Sequence, residues 1–171
     1  MKMSALSPPA LIVSPLVRAL YDYWRLKRGE RGAPRWRDID PGEIRRLLPY
    51  LCVSEVLADP FDLRYRIVGT SVADAVGKDF TGSTFSAMRI VTGRSLWHKH
   101  YTSVVAGMRP AYGRYRGDLG PDMVRYVDHG VFPLSNDGVA VQRLIEIEDW
   151  SAVREATPGR IDLPVWRFEP L

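Results

Sequence analysis

The chain has 171 residues, 46% hydrophobic and 26% charged, with a single cysteine. This is the profile of one globular domain with its own core, and it excludes a disordered chain, a disulfide framework and a multi-cysteine metal site. Net charge is +4, and the excess is local: nine basic and five acidic residues lie between Arg18 and Arg46, while the remainder balances.

The N-terminal MKMSALSPPALIVSPLVRAL carries an apolar patch broken by prolines, with no small-residue cleavage site after it. It reads as an arm leading into a helix, not as a signal peptide. No apolar run approaches the roughly 20 residues of a membrane helix, so the expected location is the cytoplasm. Ser14 is an N-cap and Pro15 fits the first helical position. Leu16, Leu20, Tyr23 and Trp24 then recur at helical spacing, and Gly29 ends the helix. A second, shorter helix is expected after GERGAPRWR, capped by Asp40 with Glu43 in a capping box, buried through Ile44, Leu47 and Leu48, and stopped by Pro49.

From Tyr50 the pattern turns to strands. LCVSEVL and LRYRIVG flank a turn at Asp59–Pro60 and form an antiparallel hairpin, with Leu63, Tyr65 and Ile67 on one face and Arg64, Arg66 and Val68 on the other. Short irregular or helical pieces follow to Met88. A longer helix spans about 93–108, with Trp97, Tyr101, Val104, Val105 and Met108 as its apolar stripe. Three strands close the chain, around AYGRYR, MVRYVDHGVFPL and VAVQRLIEIED. RYRGDLGPD joins the first two, and Asn136-Asp137-Gly138 is a hairpin turn between the last two. A short helix and a tail are expected after Trp150. This order predicts an α+β fold: a five-stranded antiparallel sheet with helices on one face, preceded by two N-terminal helices that could cover an edge, cover the other face or make a dimer. The expected divisions are 1–49, an arm and helical extension; 50–150, the sheet domain; and 151–171, a tail.

The stretch RYRIVGTSVADAVGKDFTG, the long helix RSLWHKHYTSVVAGM and the closing VRYVDHGVFPLSNDGVAVQRLIEIED together resemble a PAS domain. YDYWRLKRGERGAPRWRDIDPGEIRRLLPYL resembles the leading segment of a bacterial group of stand-alone PAS proteins. The resemblance spans about Leu16 to Trp150. It implies a sensory or regulatory fold whose hollow between helices and sheet either holds a ligand or is filled by side chains. On that resemblance Gly69-Thr70 turns the chain out of the sheet, TSVADAVG crosses it as a short helix with Val72 and Val76 inward, and Gly77 and Gly82 permit turns that a Cβ would hinder.

The candidate ligand-binding residues are Tyr65, Trp97, His98, Tyr101, Val105, Tyr126 and Arg143; Tyr112 is a further aromatic that could line the hollow. Aromatic walls suit apolar or planar ligands and equally suit a filled core. Arg143 shares an alternating set with Val141 and Ile145, so an inward position needs an anionic partner, Glu55 or a ligand phosphate or carboxylate. Some PAS sensors ligate haem through a histidine on the long helix. Here His98 is the more inward of the pair, but His98 and His100 point about 160° apart and cannot share one metal. A solvated or interfacial pair is the better reading, and no flavin-attacking cysteine motif is present: Cys52 reads as a small buried residue. RGD at 116–118 is a chance match. Hydrolase, P-loop, dinucleotide and zincin signatures are absent, so no catalytic or metal-binding residue is assigned.

The leading function is a non-catalytic PAS module that binds a small ligand or a protein partner in signal transduction, with a homodimer through the N-terminal helices. The second is a small-pocket isomerase or dehydratase using Asp128, Tyr126 and Tyr101. The third is an anionic-surface binder using the basic N-terminal stretch, although no nucleic-acid-binding pattern accompanies it.

Overall fold

The computed structural model describes residues 12, 14–88, 94–118 and 124–150, except for the side chains of 96, 116–118 and 124–126. The expected C-terminal helix and tail, most of the N-terminal arm and the turn within RYRGDLGPD lie outside the described residues, as does the Arg-Gly-Asp match at the side-chain level. The elements are α1 (Pro15–Arg28), β1 (Leu51–Ala58), β2 (Phe61–Val68), α2 (Thr70–Val76), α3 (Arg94–Gly107), β3 (Ala111–Asp118), β4 (Val124–Leu134) and β5 (Arg143–Asp149). The strands form one antiparallel sheet in the order β2-β1-β5-β4-β3. The chain leaves the sheet at the β2 edge, crosses through α2 and α3, and re-enters at the β3 edge.

The start of α1 is fixed by its cap. Ser14 Oγ accepts from the Val17 amide at 3.2 Å and donates to Asp149 Oδ2 at 2.6 Å, so one hydroxyl ends the helix and ties it to β5. The buried stripe is Val17, Leu20, Tyr21 and Trp24, turned slightly from the predicted one; Leu16 and Tyr23 flank it. Trp24 Nε1 donates to the Pro133 carbonyl at 2.8 Å. Gly130 admits this close approach, because a Cβ there would meet Val17 Cγ1 at 3.1 Å and the Phe132 ring at 2.6 Å. Gly29, at φ +58°, ends the helix.

The expected second helix does not form. Residues 41–47 make successive turns, followed by a 3-10 turn at Leu48–Tyr50. The amides of Glu43, Leu47 and Tyr50 each bond three residues back, not four. Asp40 Oδ1 accepts from the Gly42 amide, an Asx-type turn that competes with helix initiation, and Glu43 reaches Lys27 on α1 at 2.6 Å. Ile44 and Leu47 are still buried, whereas Leu48 is exposed.

A register shift between Val53 and Ser54 leaves Arg66 as an extra residue on β2. The predicted alternation therefore holds for Leu63 and Tyr65 and then changes phase: Ile67 is 47% exposed, and Val68 packs with Leu63 and Tyr65. β5 starts at Arg143, later than expected. Asp137 Oδ1 accepts from the Val139 and Ala140 amides, and Gly138 takes φ +75°, so the Asn-Asp-Gly signal marks a broader loop than a two-residue turn.

The sheet is covered on both faces. Leu51, Val53, Phe132, Leu134, Ile145 and Ile147 pack on α1, Ile44 and Leu47. Leu63, Tyr65, Val131 and Leu144 pack on Val72, Phe80, Phe85, Tyr101 and Val104 from the α2–α3 side. Of the options for the N-terminal segment, covering the second sheet face is the one realised. Val72 faces inward as expected, but Val76 is 44% exposed. Gly69 has an ordinary φ of −67°; its role is close approach, since a Cβ would lie 2.3 Å from the Pro49 carbonyl oxygen. Gly77 and Gly82 do take positive φ, at +77° and +85°.

Gly69→Ala is therefore expected to cost about 2 kcal/mol or more, because backbone must move. Gly113→Ala, where an added Cβ meets nothing within 4 Å, is expected to change stability by less than about 0.5 kcal/mol. Urea unfolding of both variants checks this, and similar midpoints would contradict the close-approach role.

Candidate functional site

β5 is the central strand, and its side chains divide strictly between the two faces. Ile145 and Ile147 enter the core under α1. Leu144, Glu146 and Glu148 face α2 and α3, where alternation along the strand requires them. Both glutamates line a cavity of about 600 Å³ between sheet and helices. Its floor holds Cys52, Tyr65 and Tyr115; α3 supplies Trp97 and Tyr101; the segment after α2 supplies Phe80, Phe85 and Met88; and Trp150, just after β5, also lines it. The size falls within the roughly 300–1,000 Å³ of small-molecule pockets.

The polar groups in this cavity form a connected set. Glu146 Oε1 accepts from Ser54 Oγ at 3.0 Å and Oε2 accepts from the Tyr101 hydroxyl at 2.8 Å. Glu148 Oε2 accepts from Trp150 Nε1 at 2.9 Å and also bonds the Tyr115 hydroxyl. Tyr65 hydrogen-bonds Tyr101. Burial pushes both carboxyls up to about 7, with the Glu148 charge adding to the effect on Glu146 and the hydroxyl and indole donors opposing it. Burial also raises the phenols of Tyr65, Tyr101 and Tyr115 well above their ordinary value.

A histidine pair adjoins this set. His100 on α3 and His129 on β4 are both buried, with their Nε2 atoms 3.1 Å apart. Burial holds His100 down to about 4, and burial plus the neighbouring ring holds His129 well below its usual value. Both are neutral near pH 7. Trp97 packs edge-on against each of them and lies roughly parallel to Tyr101, with ring centroids 5.6 Å apart.

Of the residues singled out in the sequence, the fold brings Tyr65, Trp97 and Tyr101 together on the cavity. Val105 packs at the edge of the same core without lining the cavity. His98 is exposed and meets the Phe61 ring edge-on at 5.2 Å, so the inward histidine of the long helix is His100. Arg143 does share a face with Ile145, but that face belongs to α1; its guanidinium lies 5.2 Å from the Trp36 ring centroid. Glu55 pairs with Arg66 at 2.6 Å, not with Arg143. Tyr112 turns to the α1 side against Tyr21. Tyr126 lies on β4 with its side chain outside those described. Asp128 chelates Arg114 through both oxygens, at 2.6 and 2.8 Å, on the α1 side of β4. It and Tyr101 are therefore on opposite faces of the sheet, which separates the group that an isomerase-type site would need. Cys52 is buried, and burial raises its thiol far above the ordinary range. Among the described residues no cluster of three or more His, Cys, Asp or Glu is placed to hold a metal, and no helix is long and apolar enough to cross a membrane.

Glu146, Glu148, Tyr115 and Trp150 were not picked out in the sequence. The available signal was RLIEIED, in which Ile and Glu alternate. A strand with one wet face would send those glutamates to solvent, and only a sheet covered on both faces buries them.

A five-stranded antiparallel sheet with a helical wall and a hollow between them is the architecture of a PAS domain. A family model described as PAS domain matches residues 12–118, and the chain belongs to that family. Among solved structures, an RNA-binding light-oxygen-voltage receptor superposes with a TM-score of 0.50 at 13% identity, over 66% of this chain and 33% of the receptor. The chain thus spans about a third of that receptor's length. The PAS domain of Bordetella pertussis BvgS matches with a TM-score of 0.42 at 15% identity, over 64% of this chain and 84% of that one. No curated protein matches the chain.

The raised carboxyls set a pH dependence. A glutamate near 4.5 in the unfolded chain and about 7 in the fold makes the folded state bind more protons between those values. Its contribution is full below about pH 4.5 and is lost as pH rises to about 7. The depressed histidines act oppositely, removing stability as pH falls below 6.5. The difference between wild type and Glu148→Gln removes the histidine contribution and reports the Glu148 carboxyl with its effect on Glu146. Urea unfolding is expected to show wild type losing stability relative to Glu148→Gln as pH rises from about 4.5 to about 7; a difference that stays constant with pH would contradict the raised carboxyl.

Proposed function

We propose that this protein is a non-catalytic PAS sensory or regulatory module that holds a small molecule between the sheet and α3 and passes its state to a protein partner. The observation that carries this reading is the cavity itself: about 600 Å³, walled by aromatic rings, with a few convergent buried polar groups. An ordinary filled PAS core would close that space with side chains. The hydrogen-bonded glutamates on its floor give a guest partners that a purely apolar hollow lacks.

The enzyme reading is weaker because Asp128 is committed to Arg114 on the far face. The anionic-surface reading is weakened by the ion pairs Arg18–Asp22, Lys27–Glu43 and Arg31–Asp38, which neutralise part of the basic stretch. We assign the homodimer to the outer face of α1. The inner face is spent on the sheet, and Leu26 is 76% exposed on the outer one.

Native mass spectrometry of the protein as purified tests both parts. A discrete added mass that is lost on denaturation, and is absent from a variant with the cavity filled by Ala87→Trp, supports the ligand reading; an added mass retained in that variant contradicts it. A wild-type dimer that becomes monomeric in Leu26→Glu supports the α1 interface, and a monomeric wild type contradicts it.

A further inference from the structure

Glu146 and Glu148 stand two residues apart on the central strand, so their Cα atoms are separated by about 7 Å along β5. Both side chains lie on the cavity. Their hydrogen-bond donors are the Ser54, Tyr101 and Tyr115 hydroxyls and the Trp150 indole, all of them neutral. Among the described residues neither glutamate has an ion pair. Lys78 also lines the cavity, but its side chain is exposed and joins no ion pair with them. Buried carboxylates of this kind are costly unless a positive charge offsets them. Arg143, on the same strand, faces the α1 side against the Trp36 ring and does not supply it. Among the described residues, then, the cavity has a twin-carboxylate floor with no cation paired to it.

The remaining walls are suited to the same missing group. Trp97 and Tyr101 lie roughly parallel, and Phe80 and Phe85 each meet a tyrosine edge-on, giving π faces beside the carboxylates. Such faces attract a cation electrostatically and accept an apolar or planar body. An anionic guest would face like charge in a desolvated space, and a neutral guest would leave both carboxylates uncompensated.

We propose that the cavity selects a small organic cation with an aromatic or otherwise flat apolar body, whose N–H groups bond Glu146 and Glu148 while its body lies against Trp97 and Tyr101. This deepens the ligand-binding reading given above and rests on it. The guest is defined by its chemistry: a protonated amine, amidine or guanidine on a ring-sized scaffold.

Three planar probes of matched shape test it: benzamidinium, benzamide and benzoate. Each is titrated into the full chain at about pH 8, where carboxyls near 7 are largely ionised, and binding is followed by NMR shifts of the Trp97 and Tyr101 rings. Benzamidinium is expected to bind at least about tenfold more tightly than the other two, the order of one charge-assisted hydrogen bond. In Glu148→Gln, checked for native folding by its spectrum, that preference is expected to shrink to about threefold or less. Benzamide or benzoate binding as tightly as benzamidinium would overturn the cation inference and leave the ligand pocket standing. Absence of binding by all three would overturn the pocket reading and this inference with it.

Discussion

The structure depends on one constraint: its sheet is buried on both faces, and β5 runs through the middle. Every side chain of that strand must satisfy one of two enclosed environments. Ile145 and Ile147 meet this demand by packing under α1. Glu146 and Glu148 meet it only by gathering hydroxyl and indole donors on the opposite side. A carboxylate that would ionise freely in water is thereby held in a space where ionisation is expensive, and neighbouring chemistry is tuned to that cost.

The second face exists because α1 is locked onto it. Ser14 joins the start of the helix to the end of β5, Trp24 joins its middle to β4, and Gly130 removes the Cβ that would hold the layers apart. The N-terminal segment is therefore a structural layer of the domain as well as its basic surface. The cavity floor on β5 belongs to the same strand that carries the α1 core, since residues 145 and 147 are the immediate neighbours of 146 and 148.

Much of this was legible in the sequence. The cap at Ser14-Pro15, the long helix, the five strands and the three aromatic cavity residues followed from local pattern and from the resemblance of ordered blocks. The errors have specific causes. The segment at 41–47 reads as a capped helix in the sequence, but the Asx-type turn at Asp40 and the pull of Lys27 on Glu43 favour turns over a helix. A bulge at Arg66 shifts the phase of β2, and alternation alone cannot register one inserted residue. Arg143 faces a different layer from the one expected, and the two glutamates were not singled out, for a single reason. Alternation tells which residues share a face, but not what covers it, and the covering elements, α1 on one face and α2 and α3 on the other, lie far from β5 in the chain.

The claim at the centre of this account is that Glu146, buried, and Glu148, half-buried, are desolvated carboxyls on the floor of the cavity. Infrared difference spectroscopy of the pH titration measures it directly, with Glu146→Gln and Glu148→Gln to assign the bands. The account predicts carboxylic-acid C=O signals from both residues that titrate near pH 7 and disappear one at a time in the two variants. Carboxylate bands unchanged down to about pH 5 would mean that both groups are solvated, and would contradict the enclosed floor on which the site is built.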